Sequence, residues 1–230
     1  MSRFTTILWD VDGTLLDFLY SQRYAIGKCF RSIGREITEE ERQLYKEIND
    51  SYWKRLELGE ITKEQLGIGR FETFLEKCGV EGVDVTAFRR EYEEALGSVF
   101  SYLDDSLTVC RGLRGKVAQY VITNGFPQVQ HNKLKLSGFA DVMDGIFISE
   151  EIGISKPQTG FFDYCLERIN EKDKSKMLIV GDSLSSDIKG GVMAGIPTCW
   201  YRPEGTANTS GYRPDYEISD LHMVEEILEG

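Results

Sequence analysis

The stretch Ile7-Leu8-Trp9-Asp10-Val11-Asp12-Gly13-Thr14 runs from an apolar segment straight into two carboxylates, a glycine and a hydroxyl. An apolar run closed by a turn residue reads as a buried strand ending in a loop. Side chains alternate along a strand, so Asp10 and Asp12 are expected on one side of the chain and Val11 on the other. Two acids this close repel each other unless a cation lies between them or one keeps a proton. The cation expected is Mg²⁺, which takes oxygen ligands and commonly bridges one or two carboxylates to a phosphate. Read alone, the same residues also suit a polar strand end entering a turn.

Three further apolar runs end in groups suited to phosphate. Val117 to Ile122 leads into Thr123-Asn124-Gly125, where a hydroxyl and backbone amides can donate to an anion, or where an ordinary Asn-Gly turn can form. Gly145 to Ser149 is followed by Ser155-Lys156-Pro157. Pro157 suits the first position of a helix, which would set Lys156 near that helix's positive end; a solvated surface lysine is the plainer reading. Met177 to Gly181 reads as a strand buried on both faces that delivers Asp182 to the same edge as Asp10. Asp187 follows as either a helix cap or a partner standing behind the ligands.

Strand-like runs near 4–9, 117–122, 145–149, 176–181 and 197–201, with helical patterns between the later ones, predict an α/β fold: a Rossmann-like, three-layer parallel sheet. Residues 202–214 read as a polar loop before a last strand and helix. Helical periodicity over 20–34, 38–58, 62–78 and 84–100 interrupts the rhythm. The expected domains are an α/β core, 1–16 with 104–230, and an all-helical cap, 17–103, inserted after the first strand. Such a lid can exclude water and contact the part of a substrate remote from its phosphate.

Composition narrows the partners. With 38 Asp and Glu against 27 Lys and Arg, the chain carries a net charge of −11, which disfavours nucleic-acid polymers and anionic membranes. The five cysteines, at 29, 78, 110, 165 and 199, have no Cys-x-x-Cys spacing, which argues against a zinc site. No leader pattern precedes Phe4 and no apolar stretch approaches membrane-spanning length, so the cytoplasm is the expected compartment. The expected partner is a small phosphorylated metabolite, and the expected state a monomer or homodimer.

The motifs Asp10-Val11-Asp12-Gly13-Thr14, Thr123, Lys156 and Gly181-Asp182 through Asp187, in this order, resemble those of the haloacid dehalogenase superfamily of phosphotransferases. The resemblance implies a phosphomonoester hydrolase with a helical cap of the first class. Asp10 would be the nucleophile, forming an aspartyl-phosphate, and Asp12 the acid and then the base. Asp10, the Asp12 carbonyl and Asp182 would hold Mg²⁺. Thr123, Asn124, Gly125 and Lys156 would bind the phosphoryl group, with Asp187 orienting Lys156 or a metal-bound water. A sugar phosphomutase or small sugar-phosphate phosphatase shares these motifs, and a non-hydrolytic phospho-acceptor switch is a remoter alternative.

Asn49, Trp53, Gly59, Ile61, Thr62, Leu66, Arg70 and Phe71, with Val121 to Phe126, Ile148 to Gly153 and Cys199-Trp200, are similar to the bacterial noncanonical pyrimidine 5′-nucleotidase branch. That likeness implies hydrolysis of UMP, dUMP or dTMP. Asn49 and Trp53 share a helix face and could bond and stack on a base, with Arg70 nearby. The plainer reading packs the aromatic in the core and leaves the arginine solvated or paired with Glu72 or Glu76. The branch varies at the position of Gly13, which bears on specificity rather than on the acids.

Overall fold

The computed structural model describes residues 3–202, 207–208 and 210–229. Its described strands are β1 (Thr6–Trp9), β2 (Ala118–Thr123), β3 (Gly145–Ile148), β4 (Met177–Gly181), β5 (Thr198–Tyr201) and β6 (Tyr216–Ile218). They form one parallel sheet in the order β3-β2-β1-β4-β5-β6. The chain winds outward from β1 in one direction and then, from β4, in the other, which opens a crevice at the carboxyl ends of those two strands.

Alternation within the central strands covers both faces. Ile7, Trp9, Leu178 and Val180 enter one buried cluster, whereas Leu8, Met177 and Ile179 enter another. The first cluster is closed by α5 (Ser106–Leu113), α6 (Pro127–Leu136) and α10 (Met223–Glu229) through Val109, Leu134 and Val224. The second is closed by α8 (Thr159–Ile169) and α9 (Lys189–Ala194) through Phe161, Phe162, Cys165 and Ala194. A one-turn helix, α7 (Ser149–Ile152), follows β3, so that strand stops one residue short of the expected end. Within the expected loop 202–214, residues 203–206 and 209 lie outside the described residues.

The chain divides into two compact units: one runs to Phe18 and resumes at Phe100, and the other is Leu19–Val99. Asp17 and the segment after Phe100 belong to the α/β unit because they bond within it. The Asp17 N–H donates to the Ser101 carbonyl at 2.9 Å and the Leu103 N–H to Leu15 at 3.2 Å. Leu16 and Tyr102 form an antiparallel bridge beside them.

The helices of the second unit are α1 (Phe18–Ser32), whose first residue belongs to the α/β unit, α2 (Glu39–Glu57), α3 (Lys63–Lys77) and α4 (Val85–Leu96). Thr38 with Glu41, and Thr62 with Gln65, form reciprocal capping boxes, and Asp84 caps the last helix. Each such cap contributes about 1 kcal/mol. The interior is aromatic: Tyr45 stacks on Phe71 at 5.7 Å, and the Tyr92 ring meets both at 5.5 and 5.0 Å. Among the described residues, no helix is long and apolar enough to cross a membrane.

Candidate active site

Strand β1 ends at Trp9, and Trp9 is in register with Val121 of β2 and Val180 of β4. Asp10, Thr123 and Asp182 therefore leave the sheet at one edge. Asp10 is 8% exposed and accepts from Lys156 Nζ at 2.8 Å. The same ammonium donates to Asp187 Oδ1 at 2.6 Å and to the Ile122 carbonyl at 2.8 Å. A lysine has three N–H bonds to give, and these acceptors use them. Lys156 is thus a buried ion-pair centre, not the solvated lysine of the plainer reading.

Thr14 links the acids. Its hydroxyl lies 3.3 Å from Asp10 Oδ2 and 3.3 Å from Asp182 Oδ1, and it accepts the Asp182 N–H at 3.0 Å. The Asp182 carbonyl in turn accepts the Trp200 indole N–H at 2.9 Å. Asp187 sits in a wide helical turn, Leu184–Ile188, with its other oxygen on the Ser183 N–H at 3.1 Å.

The carboxylates of Asp10, Asp182 and Asp187 offer oxygens within 4.8 Å of one another. Burial pushes the Asp10 carboxyl up to about 7, against the pull of Lys156 and with added push from Asp187 and Asp12. Burial, then Asp10 and Asp187, raises Asp182 well above the usual carboxylate range. Burial works against the charge on Lys156, yet Asp10 and Asp187 hold its pKa above the ordinary lysine value. Clustered oxygen donors that resist ionising together fit a hard divalent cation. Asp187 has one oxygen on Lys156 and the other on the Ser183 N–H, whereas Asp10 meets Lys156 through Oδ1 alone, so Asp10 Oδ2 and the Asp182 carboxylate are the oxygens that could face an ion.

Gly13 is required here by geometry. Its φ is +94°, and a Cβ on it would lie 2.5 Å from Asp182 Oδ2. A glycine at this position lets the turn pass close to the Asp182 carboxylate.

Several expectations need correcting. Strand β1 ends at Trp9, although the Asp10 N–H still bonds the Val180 carbonyl at 2.9 Å. The Asp10 carboxylate meets Lys156 and Thr14 and feels the charge of Asp12, while Asp12 gains partners on α6. Its carboxylate accepts from Gln130 Nε2 at 2.6 Å and Lys133 Nζ at 2.8 Å. Pro157 does not open a helix; it lies in a turn after a cis peptide bond, and α8 begins at Thr159 behind Gln158. The Asn124 side chain bonds the Lys156 backbone, and the Gly125 N–H donates to the Thr123 hydroxyl at 3.0 Å. Arg70 is buried, not solvated: Nη1 donates to Asn49 Oδ1 at 2.8 Å, both residues 1% exposed. Its guanidinium lies over the Phe71 ring, 4.6 Å from the centroid. Trp53 is half-buried with the Lys63 ammonium over its ring at 5.3 Å.

Thr14, Gln130, Lys133 and Trp200 were not assigned roles from sequence. Gln130 and Lys133 left one trace: they fall within the buried stripe of α6 beside Val129 and Leu134, where apolar residues are the rule.

A family model for haloacid dehalogenase-like hydrolases matches residues 4–195. The chain belongs to that family. It is therefore an enzyme, a haloacid dehalogenase-like hydrolase with the family's Rossmann-like fold. Among its relatives, the HAD-hydrolase YfnB of Bacillus subtilis is 34% identical over 99% of this chain and 97% of its own. The pyrimidine 5′-nucleotidase YjjG of Escherichia coli is 33% identical over 96% of both chains. The pyrimidine 5′-nucleotidase PynA of Streptococcus pneumoniae is 32% identical over 97% of this chain and 94% of its own. The crystal structure of YfnB bound to magnesium superposes with a TM-score of 0.94, covering 99% of this hydrolase and 100% of that chain.

Proposed function

We propose that this hydrolase cleaves phosphate monoesters through a phosphoaspartyl intermediate on Asp10, with pyrimidine nucleoside 5′-monophosphates such as UMP, dUMP and dTMP as substrates. The observation that carries the chemistry is the convergence of Asp10, Lys156, Asp182 and Asp187 at one sheet edge. The substrate class is supported by the two pyrimidine 5′-nucleotidases similar to it over nearly full length.

In the first step the Asp10 carboxylate attacks phosphorus, the ester P–O bond breaks with its electron pair on the leaving oxygen, and Asp12 supplies the proton. In the second, water attacks the phosphoaspartate, Asp12 takes the water's proton, and phosphate leaves while Asp10 is regenerated. Thr123, with backbone amides of its turn, binds phosphoryl oxygens, and the charge of Lys156 offsets repulsion between carboxylate and phosphate. Asp10, the Asp12 carbonyl and Asp182 would hold Mg²⁺, which supplies further charge neutralisation at the phosphate when bound. The helical unit, residues 19–99, is assigned the role of a cap, and Asn49, Trp53 and Arg70 are assigned to base recognition.

The test is phosphate release from a panel of nucleotides and sugar phosphates with Mg²⁺ and with EDTA. Turnover of UMP, dUMP or dTMP that EDTA abolishes and Mg²⁺ restores is expected. Conversion of a hexose 1-phosphate to the 6-phosphate without free phosphate would make the protein a mutase. Asp10→Asn is expected to lower turnover by at least roughly 10³-fold, the scale on which loss of one member of a catalytic unit acts.

A further inference from the structure

Among the described residues three cations are buried: Arg70, Lys133 and Lys156. Lys156 belongs to the mechanism above and Arg70 to the helical interior, but Lys133 has no part in either. It is fully buried on α6, with Nζ 2.8 Å from Asp12 Oδ1 and 5.4 Å from the Phe18 ring centroid. Gln130, one turn earlier and also fully buried, donates to the other oxygen of Asp12 at 2.6 Å. The Asp12 side chain keeps 21% of its surface exposed. Two donors from one rigid helix therefore fix the plane of a carboxylate whose remaining face is open.

A buried ammonium carries a desolvation penalty that an apolar residue of similar volume avoids, so tying α6 to a loop gives little reason to keep one. A second feature serves the same contact. A Cβ on Gly125 would lie 2.2 Å from Gln130 Nε2 and 2.7 Å from its Cδ, so the glycine leaves open the path by which the amide reaches Asp12.

We propose that Lys133 and Gln130 are positioning residues for Asp12. They hold its carboxyl group where it hands a proton to the departing ester oxygen as the P–O bond breaks. The inference rests on the reading of Asp12 as the acid of an ester hydrolysis, and it applies whichever phosphate ester the enzyme prefers. General acid assistance is worth roughly 10²–10⁴-fold, and it matters most where the leaving group is a poor one.

The experiment compares kcat/KM for an alkyl phosphate that the wild-type enzyme hydrolyses, nucleotide or sugar phosphate, with kcat/KM for 4-nitrophenyl phosphate, whose leaving group needs no proton. This parameter covers steps up to release of the alcohol, so the second hydrolytic step drops out. Lys133→Met and Gln130→Leu are expected to lower the alkyl-to-aryl ratio by about tenfold or more. Lys133→Arg, which keeps the charge, should recover most of it, and Gly125→Ala should shift it in the same direction as Gln130→Leu. Equal losses on both esters, or no loss on either, overturn the proposal. Should Lys133→Met fail to fold, Gln130→Leu and Gly125→Ala report the same ratio. Asp12→Asn separates the two readings: if it leaves the ratio unchanged, Asp12 is not the acid, and if it lowers the ratio while the α6 variants do not, only the positioning role falls.

Discussion

Asn124 and Lys156 bond to each other twice: the Asn124 amide donates to the Lys156 carbonyl at 2.9 Å, and its oxygen accepts the Lys156 N–H at 3.0 Å. The asparagine thereby fixes the main chain from which the Lys156 ammonium reaches three buried acceptors. Asn124→Ala should lower kcat by roughly tenfold to 10²-fold through misplacement of that ammonium, and stability by about 1–3 kcal/mol. Steady-state kinetics and urea unfolding read the two effects. A variant with unchanged kcat would show that the pair is only structural.

Gly13→Ala places a methyl 2.5 Å from Asp182 Oδ2 at a positive φ of +94°. The strain alone costs on the order of 1–3 kcal/mol. The displaced carboxylate should also raise the Mg²⁺ concentration needed for half-maximal activity. Titration of activity against Mg²⁺ checks this, and an unshifted midpoint would remove Asp182 from the ion-binding set.

Burial, opposed by Lys156 and reinforced by Asp187 and Asp12, raises the Asp10 carboxyl from 3.8 to about 7. A carboxyl that holds its proton more tightly folded than unfolded stabilises the fold fully below the unfolded value, and loses that contribution as pH rises through the folded one. In EDTA, the melting temperature of the wild type relative to Asp10→Asn should therefore fall between pH 3.8 and about 7. Saturating Mg²⁺ should reduce the fall. A difference that stays flat or grows with pH contradicts the assignment.

Asn49 Oδ1 receives the Arg70 guanidinium inside the helical unit. Asn49→Ala removes an acceptor from a buried cation and should destabilise by about 1–3 kcal/mol in urea unfolding. If the pair also serves base recognition, KM for UMP rises while KM for 4-nitrophenyl phosphate holds. Equal KM changes for both would assign the pair to packing alone.

The sheet was legible because strands buried on both faces read as continuous apolar runs, and Met177 to Gly181 is the clearest. The helices of residues 19–99 were legible to within a few residues from their apolar periodicity, and Thr38, Thr62 and Asp84 cap the starts of three of them. Polar residues inside helices were not. Lys133, Gln130 and Arg70 carry groups that sequence reasoning assigns to solvent, and only tertiary packing reveals the acceptors that draw them in. The partners of Asp12 were hidden for a related reason: Gln130 and Lys133 come from α6, far along the chain, and only the folded structure brings them to the turn after β1.

The hydrogen bond from Asp17 to Ser101, beside the Leu16–Tyr102 bridge, makes the exit and re-entry of the α/β unit a single gateway. Everything threaded through that gateway is a cassette whose two ends are already pinned side by side. Exchanging or deleting the cassette is expected to leave sheet register undisturbed, because its two ends are joined independently of what lies between them.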